Sequence, residues 1–530
     1  MRLIIILSLV FAFNTSAQNI INSQNPVTQQ DFYFKLSDGT RLDCSKFFPE
    51  NPHTPRLPCV IFCHGFGGSK KDVEGYARAL VDRGCITYTY SMRGQGNSTG
   101  RSYIMSRVEM NDLFELMELI KSDESVDTNN IGIIGSSQGG IIPFMAGCFG
   151  ENFKFIISDL SSPSFASSWI ENGCVKTTMA WSLLYDTSKV RYSNDAVVYR
   201  KWILSNRNDY RDSLENYFPK GRDFADHVKY LNSPILFSNS WQDKFFNTHG
   251  IINAVDSLNV PFTAYFGVVP GHGSDTISGE TQFHSEFIDN WINYRLFGLN
   301  SGSSGDYKFV YSSSENPVNF HHWFYIRSQT NTWPPSEVNE MRLYFHSGKQ
   351  LVDEKDKGGG DTVSFLNDVR DKKLTMMEAL KCGFTGDDFS DKFVKTLLYF
   401  ETAPLQNDVK MIGTPGLFLK YTSSADICQF NVQIWEADEN GGMNFVTRIN
   451  FTDWKMYSNS VKDKYVYGQT HSHIFIKGSR IRVYITNIDN GPYDDFLQTN
   501  PFVLPVLKRA KNIIYMGGDK ASYIGLPVAQ

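Results

Sequence analysis

The chain is 530 residues long, and 41% of its residues are hydrophobic, 20% charged and 14% aromatic. This length exceeds that of one ordinary domain and predicts two or three domains. The formal net charge of -5 is small and no basic stripe accompanies it, which argues against nucleic acid as a partner. The high aromatic content favours extensive β structure and aromatic-lined surfaces.

The amino-terminal segment is typical of an export signal. After Met-Arg, residues 3–13 are apolar and residues 14–17 are small or polar. This arrangement predicts a signal peptide over residues 1–17, cleaved after Ala17, and an exported mature protein. The apolar run is shorter than the roughly 20 residues that a membrane-spanning helix needs, so no membrane span is expected. A buried amino-terminal strand is the alternative interpretation.

The cysteine pattern predicts neither a disulfide framework nor a metal site. Cys59 and Cys63 share one face of a predicted strand, roughly 13 Å apart by strand rise, which is too far for a disulfide. Others, such as Cys85 and Cys148, lie in apolar segments and indicate core packing. No CxxC pair or His-rich cluster indicates a structural metal, and no cofactor is expected.

Residues 24–162 alternate strands and helices. A hairpin is predicted first, over residues 31–48, with its turn at Asp38-Gly39. The further strands are predicted at residues 58–63, 85–90, 130–134 and 153–160, and the helices at residues 72–83, 106–122 and around 141–145. Such alternation favours a mostly parallel sheet with helices on both faces.

The alternation stops over residues 163–231, which are polar and aromatic. Two helical runs are indicated there, at residues 175–185 and 196–204. Beyond them, strands are predicted at residues 233–240 and 261–268, and helices at residues 248–257 and 281–297. We therefore expect residues 163–231 to form a helical cap inserted into a catalytic domain of residues 24–162 and 232–299. The Ser/Gly-rich residues 300–305 are predicted to be a linker.

The remainder of the chain has an all-β pattern. Short runs rich in Val, Phe and Tyr are separated by turns that carry Asn, Gly, Asp and Pro. These runs are residues 307–312, 319–327, 341–346, 395–401, 416–422, 427–436, 444–451, 473–477 and 480–487. The pattern is typical of an antiparallel sandwich, which we expect over residues 306–530.

A Gly-x-Ser-x-Gly element, residues 135–139, directly follows the apolar run of residues 130–134. In a tight turn from strand to helix, these glycines let the helix pack close to the strand and expose the serine hydroxyl above the sheet. The motif is common by itself, so the segments on either side of it decide whether its serine is a nucleophile. The preceding strand and the apolar helix after it indicate Ser137 as a nucleophile.

A serine hydroxyl needs a histidine as its base and a carboxylate to orient that histidine. In this type of sheet the three occur in the chain order Ser, Asp or Glu, His. Asp243 and His272 follow the last two predicted strands of the catalytic domain, at the same sheet rim as Ser137. Asp159 is the competing acid and His249 the competing base. Asp243 as a simple helix cap is a further alternative.

The negative charge that develops during attack needs preorganised donors, typically backbone N–H groups. We expect one from Gln138, the residue after the nucleophile. The turn of residues 64–68 is expected to supply another from Phe66, with a plain tight loop as the alternative. His64 in this turn is expected to be structural, since one base suffices.

These features resemble the α/β-hydrolase superfamily, and residues 30–530 look like one group within it. That group contains X-Pro dipeptidyl-peptidases and cocaine esterases (CocE/NonD-type acyl hydrolases), together with α-amino-acid ester hydrolases and glutaryl-type acylases. The cap between the serine and the acid, the Trp-x-Asp acid site and the sandwich carry the resemblance. The segments similar to the group's motifs are residues 135–140, 240–243, 269–273, 399–405 and 412–415.

The resemblance implies an α/β-hydrolase sheet with an inserted helical cap, followed by a jelly-roll sandwich of the galactose-binding-like type. Members of the group commonly place a tyrosine hydroxyl in the oxyanion hole from the turn after the third strand. This chain has Phe66 there, which carries no hydroxyl. We therefore expect an oxyanion hole of two amides, as in ordinary esterases.

We expect an exported serine hydrolase that cleaves an ester or amide acyl group of a small molecule or short peptide through an acyl-serine intermediate. X-Pro-type dipeptidyl-peptidase activity and α-amino-acid ester hydrolase or acylase activity are alternatives. A non-catalytic binding protein is a more distant alternative. It is considered because sandwiches of this kind resemble sugar-binding modules. Trp169, Trp181 and Tyr185 are candidate pocket walls, with burial in the cap core as the alternative. The sequence does not determine the oligomeric state, and a homo-oligomer is one of the alternatives.

Overall fold

A computed structural model describes most of the chain. The described residues are 26–184, 188–205, 208–241, 243–269, 271–272, 278–299, 307–319, 322–335, 337–355, 358, 360–385, 391–490, 501–519 and 521–530. The predicted signal peptide, the predicted linker and Tyr185 lie outside these residues. Within them, we find no helix with the length and apolar character that a membrane crossing requires.

Among the described residues, nine strands form the sheet of the catalytic domain, in the spatial order β1-β2-β4-β3-β5-β6-β7-β8-β9. Their bounds are β1 Val27–Lys35, β2 Arg41–Pro49, β3 Leu57–Cys63, β4 Ile86–Tyr90, β5 Val126–Ser136, β6 Phe155–Asp159, β7 Ile235–Ser240, β8 Phe262–Gly267 and β9 Phe309–Asn319. The first two strands form the predicted antiparallel hairpin, and the strands from β4 to β9 run parallel. The central strands are buried on both faces, as their continuous apolar runs require.

Helices cover both faces of this sheet and form the cap above it. They are α1 Glu74–Val81, α2 Arg107–Ser122, α3 Gln138–Cys148, α4 Phe165–Trp169, α5 Thr177–Leu184, α6 Asn194–Ile203, α7 Asn208–Tyr217, α8 Thr248–Val255, α9 Ser278–Phe297 and α10 Met376–Thr385. Leu80 of α1 and Trp291 of α9 share one hydrophobic cluster with the sheet, whereas Leu113 of α2 and Phe144 of α3 belong to a second one. The helices α4 to α7 occupy the predicted cap.

The carboxyl-terminal part is all-β apart from α10, within the residues that the structure describes. Its strands are β10 His322–Thr330, β11 Val338–His346, β12 Gln350–Val352, β13 Thr362–Val369, β14 Phe393–Val394, β15 Leu397–Glu401, β16 Val409–Gly413, β17 Gly416–Ser423, β18 Cys428–Ala437, β19 Met443–Asp453, β20 Lys462–Tyr467, β21 His471–Phe475, β22 Arg480–Thr486, β23 Ala510–Tyr515 and β24 Tyr523–Ala529. They pair almost entirely antiparallel around their own hydrophobic cluster, which includes Phe345, Val432 and Ile485.

Strand β9 connects the two parts of the molecule. It runs parallel to β8, with Ala264 opposite Phe309, and antiparallel to β10. It also meets β21 of the sandwich, where His473 lies opposite Ser314. The strand directly after the predicted linker therefore continues the catalytic sheet and contacts the sandwich.

Candidate active site

The turn between β5 and α3 holds Ser137 in a strained conformation. Its φ is 57°, in the left-handed region, and its N–H donates to the carbonyl oxygen of Asp159 at 2.9 Å. A Cβ on Gly135 would lie 2.2 Å from the Gly139 carbonyl oxygen, and one on Gly139 would lie 2.2 Å from the Cys63 carbonyl oxygen. The motif's glycines are therefore required by the close packing of α3 against β3 and β5.

The structure brings Ser137, His272 and Asp243 into one hydrogen-bonded line. His272 Nε2 lies 3.1 Å from Ser137 Oγ, and His272 Nδ1 lies 2.9 Å from Asp243 Oδ2. The other carboxylate oxygen of Asp243 accepts the N–H groups of Phe245 at 2.7 Å and Phe246 at 2.9 Å. Because a carboxylate only accepts, Nδ1 carries the proton and Nε2 is left to accept the serine hydroxyl.

The burial of the three side chains suits this arrangement. The side chain of Asp243 is 0% exposed and that of His272 is 13% exposed. The ring of Phe245 lies 4.5 Å from the His272 ring, centroid to centroid. The acid is thus shielded from water, while the histidine and the serine are partly exposed.

The alternative acid and base are engaged elsewhere. Asp159 Oδ1 lies 3.2 Å from His284 Nε2 and accepts the Ser238 hydroxyl at 2.6 Å. His249 Nε2 lies 3.2 Å from a carboxylate oxygen of Glu171. The structure therefore brings neither Asp159 nor His249 to the serine in the way that it brings Asp243 and His272.

The expected oxyanion donors lie on two neighbouring segments. Gln138 is the first residue of α3, so its N–H has no intrahelical acceptor. The turn that holds Phe66 is adjacent, because a Cβ on Gly65 would lie 3.8 Å from the Ser137 Cβ. In that turn Gly67 N–H donates to a side-chain oxygen and Gly68 N–H donates to the Gly65 carbonyl. The N–H of Phe66 is then the candidate donor of the turn.

His64 has a structural role in the same turn. Its Nε2 accepts the N–H of Met92 at 2.9 Å, so its Nδ1 donates to the Gly65 carbonyl oxygen at 2.7 Å. Burial lowers the pKa of His64. The neutral ring ties the turn after β3 to the segment after β4.

Aromatic side chains lie close to the triad residues. The ring of Phe66 lies 6.3 Å from that of Tyr192, and Trp181 lies 5.9 Å from Phe245. Trp181 is therefore close to the histidine through Phe245. Trp169 is different, because it is fully buried and stacks on Phe218 and Phe246 in the cap core. Of the proposed pocket walls, Trp169 is a core residue.

One buried residue of the site was not predicted. Gln95, in the loop after β4, is 0% exposed and contacts both Gly67 and Gln138. Nothing in the neighbouring sequence indicates which groups this glutamine side chain will contact. The only sequence signal is a second glutamine directly after the nucleophile.

The sheet order and the strained serine turn define an α/β-hydrolase fold, and the hydrogen-bonded Ser, His and Asp side chains have the geometry of a serine hydrolase. Residues 38–268 match the X-Pro dipeptidyl-peptidase (S15 family), and residues 314–525 match the X-Pro dipeptidyl-peptidase C-terminal non-catalytic domain. Both parts of the chain thus match models of the same family, which confirms the predicted fold and the resemblance to the X-Pro dipeptidyl-peptidase and CocE/NonD hydrolase group.

Solved structures share the fold over nearly the entire chain. A CocE/NonD family hydrolase from Staphylococcus aureus has a TM-score of 0.73 at 13% identity, covering 95% of this chain and 94% of that one. An α-amino acid ester hydrolase has a TM-score of 0.68 at 13% identity, covering 96% and 98%. An aminopeptidase from a marine sediment archaeon, Thaumarchaeota archaeon, has a TM-score of 0.66 at 12% identity, covering 97% and 99%.

Curated relatives match a shorter part. An uncharacterized 31.7 kDa protein in the traX-finO intergenic region of Escherichia coli is 31% identical over 129 residues, which are 24% of this chain and 44% of that protein. Thiohydrolase aneE of Aspergillus aculeatus is 26% identical over 134 residues, which are 25% of this chain and 41% of that protein. The matches thus span less than half the length of these relatives.

Proposed function

We propose that the protein hydrolyses an ester or amide acyl bond of a small molecule or short peptide through an acyl-Ser137 intermediate. The observation that carries this proposal is the hydrogen-bonded line of Ser137, His272 and Asp243 at the rim of the sheet. A serine in a strained turn beside an imidazole that a buried carboxylate orients is equipped for nucleophilic attack.

In the proposed mechanism, Ser137 Oγ attacks the substrate carbonyl while His272 Nε2 takes the hydroxyl proton. The N–H groups of Gln138 and Phe66 stabilise the oxyanion of the tetrahedral intermediate. His272 then gives its proton to the leaving alcohol or amine as the acyl-serine forms. Water then attacks the acyl group while His272 Nε2 takes a proton from it. His272 returns this proton to Ser137 Oγ as the acid leaves. Asp243 holds the imidazole in its orientation throughout.

We prefer esterase activity, because Phe66 has no hydroxyl to donate. The oxyanion hole then consists of two backbone N–H groups, as in ordinary esterases. The test is hydrolysis of a p-nitrophenyl ester compared with that of a Gly-Pro p-nitroanilide, by the wild type and by Ser137→Ala. We expect ester hydrolysis that the substitution abolishes. Ester hydrolysis that survives Ser137→Ala would overturn the assignment of the nucleophile.

The family match favours a second candidate, removal of an X-Pro dipeptide, and the related α-amino-acid ester hydrolase or acylase activity. These reactions need a carboxylate or amide clamp for the substrate's free amine. Faster cleavage of the Gly-Pro anilide than of its amine-acetylated form would support that candidate. Equal rates for the two forms would argue against an amine clamp.

Export is proposed from the amino-terminal sequence, where the apolar residues 3–13 precede the small and polar residues 14–17. Expression of the full chain in a bacterial host, followed by mass spectrometry of the intact protein, tests it. We expect a mature protein that begins at Gln18 outside the cytoplasm. An uncleaved chain retained in the cytoplasm would contradict the proposal.

A further inference from the structure

Two buried glutamines lie behind the proposed oxyanion hole. Gln95 Oε1 accepts the N–H of Gly67 at 2.7 Å, and Gln95 Nε2 donates to Gln138 Oε1 at 3.0 Å. Both side chains are 0% exposed. The contact joins the turn after β3, the loop after β4 and the first residue of α3.

The direction of these hydrogen bonds follows from their chemistry. A backbone N–H can only donate, so the oxygen of the Gln95 amide has to face Gly67. Its NH₂ group then faces Gln138, where it requires the carbonyl oxygen of that side chain as its acceptor. Reversal of the Gln95 amide would bring a donor against a donor. The pair therefore has one preferred arrangement.

Gln95 is itself held on its own loop. Its N–H donates to the Met92 carbonyl oxygen at 3.0 Å, and its carbonyl accepts the N–H of Ser98 at 3.1 Å. The neighbouring Arg93 is paired with Asp112, with Nε 2.6 Å from a carboxylate oxygen. A side chain on such an anchored loop can fix the groups that it contacts.

From this geometry we infer that Gln95 is a positioning residue that sets the spacing between the two oxyanion donors. This inference rests on the proposed function. The donors belong to Phe66 and Gln138, which lie on different elements. Gln95 binds the peptide N–H next to Phe66 and the side chain of Gln138, so it constrains both. Misplacement of such donors is costly, since oxyanion stabilisation depends on their preorganised geometry.

The test compares an aryl ester with the matching thionoester, in which sulfur replaces the carbonyl oxygen. A hole shaped for an oxyanion favours the ester, so the ratio of the two kcat/KM values reports on the hole itself. We expect Gln95→Met to lower the ester kcat/KM by about 10- to 100-fold, mostly through kcat, and the thionoester value by less. The ratio should fall. A loss of active molecules would lower both values equally and leave the ratio unchanged.

Gln138→Met provides a second variant, because it keeps its backbone N–H but loses the contact with Gln95. It should lower the ratio as well, and the double variant should be no worse than the more impaired single one, since the two residues act as a unit. Gln429→Met is the matched control, since Gln429 is another buried glutamine, bonded to Thr452 within the sandwich. Its ratio should match the wild type.

An unchanged ester-to-thionoester ratio in a folded Gln95→Met or Gln138→Met variant would overturn the inference. The proposed function would survive that result, because it depends on whether the wild type hydrolyses the ester and Ser137→Ala does not. Absence of hydrolysis by the wild type would instead contradict the proposed function itself.

Discussion

Trp241 and Ser312 connect the loop of the proposed catalytic acid to the strand that the two parts of the molecule share. The Trp241 indole N–H donates to the Ser312 carbonyl oxygen at 2.7 Å, and both residues are buried. Asp243 lies just after Trp241, and Ser312 lies on β9. The position of the acid therefore depends on packing against β9.

Trp241→Phe should weaken this connection. Loss of the indole N–H removes a buried hydrogen bond, for which we expect a cost of about 1–2 kcal/mol in the free energy of unfolding and a lower kcat. Urea unfolding and ester hydrolysis measure the two effects. Trp333→Phe is the control, because its ring lies 6.0 Å from that of Trp241 while the Trp241 hydrogen bond remains. A Trp241→Phe protein with wild-type stability and kcat would contradict this role.

Asp243→Asn and Asp159→Asn separate the proposed acid from its alternative. Asparagine at 243 favours the wrong tautomer of His272, so kcat should fall by about ten-thousandfold while the fold persists. Asparagine at 159 should mainly lower stability, because Asp159 pairs with the buried His284. Steady-state kinetics and thermal unfolding of both variants provide the comparison. Greater loss of kcat in Asp159→Asn would show that the acid is misassigned.

Gly139→Ala tests the packing that exposes the serine. Its Cβ would lie 2.2 Å from the Cys63 carbonyl oxygen, so backbone must move, at an expected cost of about 1–3 kcal/mol in stability and a loss of activity. Gly75→Ala is the matched control in α1, where an added Cβ meets nothing within 4 Å. That variant should gain about 0.5–1 kcal/mol. Equal stability of the two variants in urea unfolding would contradict this explanation of the motif.

Stability should fall in mild acid because of His471. Burial, with a smaller contribution from His473, holds the pKa of His471 well below its usual range. The unfolded chain takes up this proton near pH 6.5 and the folded chain does not, so the unfolded state binds more protons below that pH. This contribution to stability is fully present above about pH 6.5 and is lost as the pH falls toward the lower folded pKa.

The free energy of unfolding between pH 7 and pH 5 measures this effect. His471→Phe should make its decline with falling pH shallower, since phenylalanine takes up no proton. His53→Phe is the control, because His53 is exposed in the folded chain. If the free energy of unfolding declined equally in the wild type and in His471→Phe, His471 would not be a cause of the decline.

The residues of the proposed triad could be predicted because each follows a strand of the parallel sheet. The Gly-x-Ser-x-Gly spacing and the strand before it indicated Ser137, and chain order then indicated Asp243 and His272. Each residue was recognisable from its own segment, and the carboxyl ends of parallel strands lie at one rim of the sheet, which brings the three together. The helix predicted at residues 106–122 was similarly close, because Ser106 and Glu109 form a capping box at the start of α2.

Other features depend on partners distant in sequence and were not predicted. Strand β20 carries alternating lysines and was missed, because its strand character comes from pairing with β17. The burial of Trp169 depends on Phe218 and Phe246, which come from separate segments. The role of Gln95 likewise requires two other segments to lie beside its loop.

The central claim is that Ser137 is the nucleophile. Reaction of the full chain with a fluorophosphonate, followed by peptide mapping by mass spectrometry, tests it most directly. We predict one adduct, on Ser137, that is absent from Ser137→Ala. No adduct on the wild-type protein, or an adduct on another residue that persists in Ser137→Ala, would contradict the account.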